Sequence, residues 1–176
     1  TVLYPTAADL VAHRGEYQYG RHGTPTTRAL QEALAAIEGP ACAGVALAPS
    51  GVAAISAALI AVLKTGDHLL VSDSVYRPTR HFCDTVLARM GIATTYFDPL
   101  LGEGVARHFR PSTRAIFLEA PGSQSLDMSD IPAMAEVARR HDAFVINDNT
   151  WATPLYFRSL DKGVDLTVQS ATKYIG

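Results

Sequence analysis

Apolar residues follow two alternating patterns along this chain. Short continuous apolar segments predict buried strands, and apolar positions that recur every three or four residues predict amphipathic helices. Because strands and helices alternate with short connections, the pattern predicts an α/β fold with a mostly parallel sheet flanked by helices. The predicted strands are 45–48, 68–72, 92–97, 114–118, 143–146 and 164–168, and the predicted helices are 27–38, 52–64, 78–90, 102–109 and 131–141.

The first 27 residues lack this periodicity and contain several glycine and proline breakers. We therefore expect an extended N-terminal arm over residues 1–27 and the α/β domain over residues 28–176. In an extended arm Tyr19 and Arg21 point to the same side, and a phenol beside a guanidinium can clamp a phosphate. A solvated loop with an exposed arginine is the plainer alternative for this segment.

Composition and charge exclude several classes of protein. The chain has 176 residues, of which 48% are hydrophobic and 18% charged, as is typical of a soluble globular protein with a sizeable core. A net charge of −2 indicates neither a nucleic acid nor an anionic membrane as partner. The apolar segment 51–63 is too short to span a bilayer, and no secretory signal pattern is present. Isolated Cys42 and Cys83 favour the cytoplasm, and no residue spacing predicts a metal site.

Reactive side chains follow two of the predicted strands, at the edge of a parallel sheet where ligands bind. After the last strand, Lys173 can hold a carbonyl cofactor as a Schiff base, and Ser170 and Thr172 can bind a phosphate. After the preceding strand, Asp148 can pair with the protonated nitrogen of a pyridine ring. The plainer alternatives are an exposed lysine and an Asx turn.

Two further positions at the same edge complete a candidate cofactor site. Tyr76 follows strand 68–72, where its ring can cover a planar ligand. Gly51 precedes helix 52–64, whose free backbone N–H groups can seat a phosphate. Each signal is weak alone. Together, an amine, a carboxylate, a stacking ring and a phosphate cup predict pyridoxal 5′-phosphate as the cofactor.

A serine acyl-enzyme is a competing interpretation. Ser170 and Lys173 match an S-x-x-K motif, and Lys64-Thr65-Gly66 matches K-T-G. However, K-T-G precedes S-x-x-K, which reverses the expected order, and no S-D-N occurs. The triplet also suits a helix C-terminus. A non-catalytic α/β binding module is a third alternative.

Several short motifs, spread over nearly the whole chain, resemble the Cys/Met-metabolism family of pyridoxal-phosphate enzymes. The first and fourth of them are similar to the branch that contains the bacterial cystathionine β-lyases. Ser123 also favours the β-lyase branch, since the γ-acting branches commonly have an asparagine at this position. In chain order the motifs are Tyr19-Gly20-Arg21-x-Gly23-Thr24, Ser50-Gly51, Ser74-x-Tyr76, Asp148-Asn149-Thr150-Trp151 and Ser170-Ala171-Thr172-Lys173-Tyr174-Ile175-Gly176.

The resemblance implies a fold and a reaction. The fold is a fold type I PLP-dependent transferase-like large domain, whose C-terminal domain, with the arginine that grips the substrate carboxylate, is absent from this chain. The reaction is α,β-elimination of L-cystathionine to homocysteine, pyruvate and ammonia, a C–S lyase step of methionine biosynthesis. A γ-acting relative (cystathionine γ-synthase, cystathionine γ-lyase or methionine γ-lyase) and a cysteine-conjugate β-lyase share the same motifs and stay open.

The resemblance also implies a role for each matched residue. Lys173 holds the cofactor as a Schiff base and moves the substrate Cα proton. Asp148 keeps the pyridine nitrogen protonated, and Tyr76 stacks on the ring and assists proton transfer. The groups implied to bind the phosphate are Gly51, the backbone N–H of Val52, Ser170 and Thr172.

The N-terminal motif has an implied role outside its own subunit. Tyr19 and Arg21 are expected to reach the phosphate of a neighbouring subunit's cofactor, which requires at least a dimer. By resemblance we expect a cytoplasmic homotetramer that acts on a small-molecule amino acid.

Overall fold

The computed structural model of the protein describes residues 3–175. The chain divides into two compact units between Leu47 and Ala48. No helix among the described residues is both long and apolar enough to cross a membrane. The expected arm over residues 1–27 that reaches a neighbouring subunit stays a prediction.

Within the described part of residues 1–27, two short helical segments interrupt the expected extended chain: α1 is Ala7–Val11, and a 3₁₀ turn covers Gly20–His22. α2, Pro25–Glu38, is the helix predicted at residues 27–38. α1 and the 3₁₀ turn bury no residue, which explains why the apolar pattern did not predict them. α2 starts with a capping box, in which Thr24 and Thr27 each donate a backbone N–H to the other's hydroxyl, at 2.9 and 3.2 Å.

The strand predicted at residues 45–48 is wrong, because the chain there has no regular secondary structure. The side-chain amide of Gln31 donates to the carbonyl oxygen of Val45 at 2.6 Å, so a side chain takes an acceptor that a strand would offer to its neighbour. Four apolar residues in a row are compatible with a strand. They do not show whether a partner strand exists, and pairing depends on tertiary context.

The second unit is built on a parallel sheet, which confirms the predicted fold class. The order of its five described strands is β2-β1-β3-β4-β5. Neighbours along the chain, β1 and β2, pair on one side, and β3 pairs on the other side of β1. The connections therefore change direction between β1 and β3, where open α/β sheets bind ligands. The strands are β1 His68–Ser72, β2 Ala93–Phe97, β3 Thr113–Glu119, β4 Phe144–Asp148 and β5 Leu166–Val168.

Helices and helical turns connect these strands. The helix predicted at residues 78–90 continues beyond its first segment as a π-helical turn, Cys83–Leu87, and the helix predicted at residues 102–109 is the 3₁₀ segment Gly102–His108. Two short segments, α6 at Thr153–Tyr156 and the 3₁₀ turn Ser159–Lys162, were not predicted, because they are too short to show a helical periodicity of apolar residues. The α-helices of this unit are α3 Gly51–Val62, α4 Arg77–Phe82, α5 Ile131–Arg140, α6 Thr153–Tyr156 and α7 Ala171–Tyr174.

Apolar layers cover both faces of the sheet. Leu69 belongs to the same layer as Leu59 of α3, whereas its neighbour Leu70 belongs to the layer that contains Met134 of α5. Successive residues of a strand point to opposite faces, so both faces of β1 are covered and all of its residues are buried. Burial on both faces explains why the strands were visible as continuous apolar segments.

Candidate functional site

Four of the parallel strands, β1, β3, β4 and β5, end side by side at one edge of the sheet. The turn after β1 carries Tyr76, β4 ends at Asp148, and β5 is followed by Ser170 and by α7, which contains Lys173. α3 packs against β4 and β5. The topology therefore brings the predicted residues of the second unit to one edge, although they are far apart in sequence.

The N-terminus of α3 lies directly against the turn after β5. A Cβ atom built on Gly51 would be 2.9 Å from Ser170 Cβ and 3.1 Å from Ser170 Oγ, so the residue at this position must be glycine for the two segments to approach this closely. Ser170 Oγ lies 3.2 Å from Thr172 Oγ1. The first N–H groups of a helix have no acceptor within the helix, and here they include that of Val52. Two hydroxyls and a positive helix end thus form a cradle for an anion.

Asp148 is a buried acid at the end of β4. It is 7% exposed, and its Oδ1 accepts the backbone N–H of Thr150 at 3.0 Å. Burial raises the pKa of Asp148, and the hydrogen bonds from Thr150 oppose that rise. The Asx-type turn considered from the sequence is therefore present. It also aims a carboxylate along the strand edge, so the turn and the proposed ring-nitrogen partner are compatible.

Hydrogen bonds tie the segment after β4 to the segment after β5. Asn149 N–H donates to the carbonyl oxygen of Val168 at 2.8 Å, and Ser170 N–H donates to Thr150 Oγ1 at 2.9 Å. Thr150 is thus bonded both to Asp148 and to the turn that carries the lysine. A shift of either segment would move the other.

Lys173 is exposed and lies in the short helix α7. Its backbone N–H donates to the carbonyl oxygen of Ser170 at 3.0 Å. Among the described residues, no ion pair involves its amine. The ring of Tyr174, the last residue of this helix, lies 5.8 Å from the ring of Trp151, centroid to centroid. The amine is therefore accessible to a ligand at the sheet edge.

Tyr76 lies in the turn between β1 and α4, and its side chain is 46% exposed. Its backbone carbonyl accepts the N–H groups of Thr79 and Arg80, and these bonds form the first turn of α4. Its backbone N–H donates to Glu119 Oε2 at 2.7 Å. The backbone is fixed at both ends while the ring remains open to a planar ligand.

Glu119 is a residue of this edge that the sequence interpretation missed. It is 5% exposed and is the register partner of Asp148 in the parallel pair of β3 and β4. Burial, and next the negative charge of Asp148, raise the pKa of Glu119 to about 8, against the lowering effect of the Tyr76 N–H. A signal was available, since Glu119 ends an apolar strand much as Asp148 does.

Tyr19 and Arg21 belong to the first unit. The guanidinium carbon of Arg21 lies 4.7 Å from the centroid of the Tyr19 ring. The ring of Tyr19 also contacts His22 edge-on, with centroids 5.4 Å apart. The two side chains therefore lie together as expected, but a 3₁₀ turn brings them together and not an extended strand.

Within residues 3–175, no three histidine, cysteine or acidic side chains are grouped so that they could hold a metal ion. The serine acyl-enzyme alternative finds little support in the geometry. A serine acyl-enzyme needs Lys173 to activate Ser170, whereas the hydroxyl of Ser170 is paired with that of Thr172.

Comparison with known proteins agrees with this arrangement. The sequence profile of a family described as Cys/Met metabolism PLP-dependent enzyme matches residues 4–176. A putative cystathionine β-lyase of Rhizobium johnstonii is 51% identical, over 99% of this chain and 43% of its own length. The cystathionine β-lyase MetC of Escherichia coli is 41% identical, over 92% of this chain and 41% of its own length.

A solved structure shows the same architecture. The crystal structure of cystathionine γ-lyase from Lactobacillus plantarum, complexed with L-serine, has a TM-score of 0.86 and 33% sequence identity. The match covers 98% of this chain and 43% of that one. The chain therefore spans less than half the length of each of these three relatives.

Proposed function

We propose, given that the chain belongs to the Cys/Met metabolism family of pyridoxal-phosphate-dependent enzymes, that it is the cofactor-binding part of a cystathionine β-lyase. The reaction would be α,β-elimination of L-cystathionine to homocysteine, pyruvate and ammonia. The relatives named cystathionine β-lyase, at 51% and 41% identity, support this choice of substrate.

The residues at the sheet edge fit pyridoxal phosphate. The approach of Gly51 to Ser170 is the observation that carries the proposal, because it brings the N-terminus of α3 against the segment that carries two hydroxyls. A phosphate is the anion that such a set of neutral donors binds well. Asp148 adds a buried carboxylate for a ring nitrogen, and Lys173 adds an accessible amine for an aldehyde.

The roles of the residues follow from their chemistry. When bound, pyridoxal phosphate supplies an electrophilic carbonyl and an electron sink for negative charge at the substrate Cα. Lys173 would hold the cofactor and would take and return the proton at Cα. Asp148 would keep a proton on the ring nitrogen by ion pairing, and the exposed ring of Tyr76 would stack on the cofactor and assist proton transfer.

We also propose that Tyr19 and Arg21 act in a neighbouring subunit. The pair is exposed, and it lies in a compact unit separate from the one that carries the cradle. A guanidinium stacked on a phenol can bind a phosphate through its outward N–H groups. A dimer would be the smallest active assembly, and a tetramer is the state we expect.

Borohydride reduction tests the covalent attachment. The chain has three lysines, Lys64, Lys162 and Lys173. We expect a pyridoxyl group on the peptide that contains Lys173 after the protein is reduced in the presence of the cofactor. Lys173→Ala should abolish the adduct, the visible absorbance and elimination, whereas the exposed control Lys162→Ala should keep all three. An adduct on Lys64 or Lys162 alone would refute the assignment.

Product analysis separates β- from γ-elimination. The structural likeness to a cystathionine γ-lyase is a specific reason to test the second possibility. Cystathionine cleaved at Cβ yields pyruvate, and cleavage at Cγ yields 2-oxobutyrate. We expect pyruvate, and 2-oxobutyrate as the main product would favour a γ-acting enzyme.

A further inference from the structure

The ends of β3 and β4 place two acids next to each other. Glu119 and Asp148 are register partners in a parallel pair, so their side chains point to the same face of the sheet. By alternation along the strands, this is the face that carries Phe117 and Ile146, whose layer also contains α3 residues. Both acids are therefore on the side of the sheet from which α3 directs its N-terminus at Ser170.

Glu119 connects this pair to the stacking residue. Its Oε2 accepts the backbone N–H of Tyr76 at 2.7 Å, across the point where the strand order changes direction. The same turn is also held by Ser123 N–H, which donates to the carbonyl oxygen of Ser74 at 2.8 Å. The bond that Glu119 accepts fixes the N–H side of Tyr76, whose carbonyl is held by α4.

We propose that Glu119 is a positioning residue of the cofactor site, which fixes the turn that presents Tyr76 and leaves Asp148 as the acid that faces the ring nitrogen. This inference rests on the proposed function for its cofactor. Glu119 has no contact with substrate in this proposal. It holds the backbone of Tyr76 and lies next to Asp148.

The surroundings explain how two neighbouring acids are tolerated. Asp148 is the charged group that acts on Glu119 from β4, and the turn after β1 contributes the uncharged Tyr76 N–H. α3, from Gly51 to Val62, contains no acidic or basic residue. The hydrogen bonds from Thr150 favour the charged form of Asp148, against the effect of its burial. A pKa of about 8 keeps Glu119 protonated at neutral pH, so two adjacent negative charges are avoided.

Three variants test the positioning role. Glu119→Gln keeps an acceptor for Tyr76 N–H without a charge, Glu119→Leu removes the acceptor, and Tyr76→Ala removes the ring but keeps the N–H. At pH 7 we expect Glu119→Gln to bind pyridoxal phosphate within about twofold of the parent protein and Glu119→Leu to bind it about tenfold more weakly, as for loss of one hydrogen bond. In the Tyr76→Ala background, Glu119→Leu should have little further effect.

Two measurements on the cofactor-free protein keep this test separate from the proposed function. Hydrogen exchange of the Tyr76 amide should be faster in Glu119→Leu than in Glu119→Gln. Folding raises the pKa of Glu119 from 4.5 to about 8, so its contribution to stability is lost as pH rises through this window. The unfolding midpoint of the parent protein should therefore fall with pH relative to that of Glu119→Gln.

Each outcome supports or overturns the positioning role of Glu119. Equal cofactor affinity of the Leu and Gln variants, or additive effects with Tyr76→Ala, would overturn the positioning role. If Glu119→Leu does not fold, Glu119→Ala takes its place, and equal exchange of the Tyr76 amide in the Ala and Gln variants would overturn the role. If the parent protein gains no adduct on Lys173, the proposed function fails. The amide exchange would still show whether Glu119 holds the Tyr76 turn.

Discussion

Replacing Gly51 with alanine tests the phosphate cradle most directly. The added Cβ would lie 2.9 Å from Ser170 Cβ and 3.4 Å from Ser170 Cα. Carbon atoms pack at about 3.5–4.0 Å, so the Ser170 segment would have to move by about 0.6–1.1 Å. Gly51 starts a helix and lies outside the left-handed region, so alanine causes a steric conflict without backbone strain.

The magnitudes separate two effects of this substitution. Overpacking of a tight contact costs about 1–3 kcal/mol of stability, whereas alanine in place of glycine stabilises a helix by about 0.5–1 kcal/mol. The free energy of unfolding should therefore fall by only about 0–2.5 kcal/mol. Displacement of Ser170 would remove a hydrogen bond to a charged phosphate, worth about 1.5–3 kcal/mol. Cofactor affinity should therefore fall by about tenfold to a hundredfold.

Visible absorbance during titration with pyridoxal phosphate measures the affinity, and thermal unfolding without cofactor measures the stability. Gly44→Ala is the matched control, because a Cβ there would have no heavy atom within 4 Å. The control should match the parent protein in both assays. Unchanged affinity in Gly51→Ala, or a loss no larger than in the control, would refute the cradle.

Two predictions concern the folded state. Burial, and next the charge of Arg110, lower the pKa of His68 to about 4. The free energy of unfolding should therefore fall as pH drops from about 6.5 to about 4, by up to about 1.4 kcal/mol per pH unit. His68→Gln should flatten this slope in denaturant titrations and the exposed control His81→Gln should not, while equal slopes would contradict the assignment. Met134→Ala should lower the free energy of unfolding by about 2–5 kcal/mol because Met134 is 0% exposed, whereas Met128→Ala, at a site 65% exposed, should lower it by under about 0.5 kcal/mol. Similar losses in the two variants would argue against the core described.

The central strands could be predicted because burial leaves a clear trace in sequence. The strand predicted at residues 68–72 is β1, and the one predicted at residues 114–118 is β3 without its first and last residues. Both are covered on two faces, so their central residues, 69–71 and 115–118, form continuous apolar segments. The segment 45–48 has the same composition without a pairing strand, and composition does not report pairing.

The motif resemblance also predicted the family, which the comparisons confirm. Glu119 lies outside those motifs, and its place at the end of an apolar strand was the one signal for it in the sequence. Its importance depends on register, because β3 and β4 align it with Asp148 and its Oε2 accepts the Tyr76 N–H.

The sequence by itself determined the class of fold, the positions of most elements and the chemical groups available at their ends, because these depend on local pattern and residue type. Tertiary structure decided which groups face one another. The contact of Gly51 with Ser170 and the pairing of Glu119 with Asp148 each join segments separated by other strands and helices. Such proximity is set by strand order and helix packing, which no local pattern encodes.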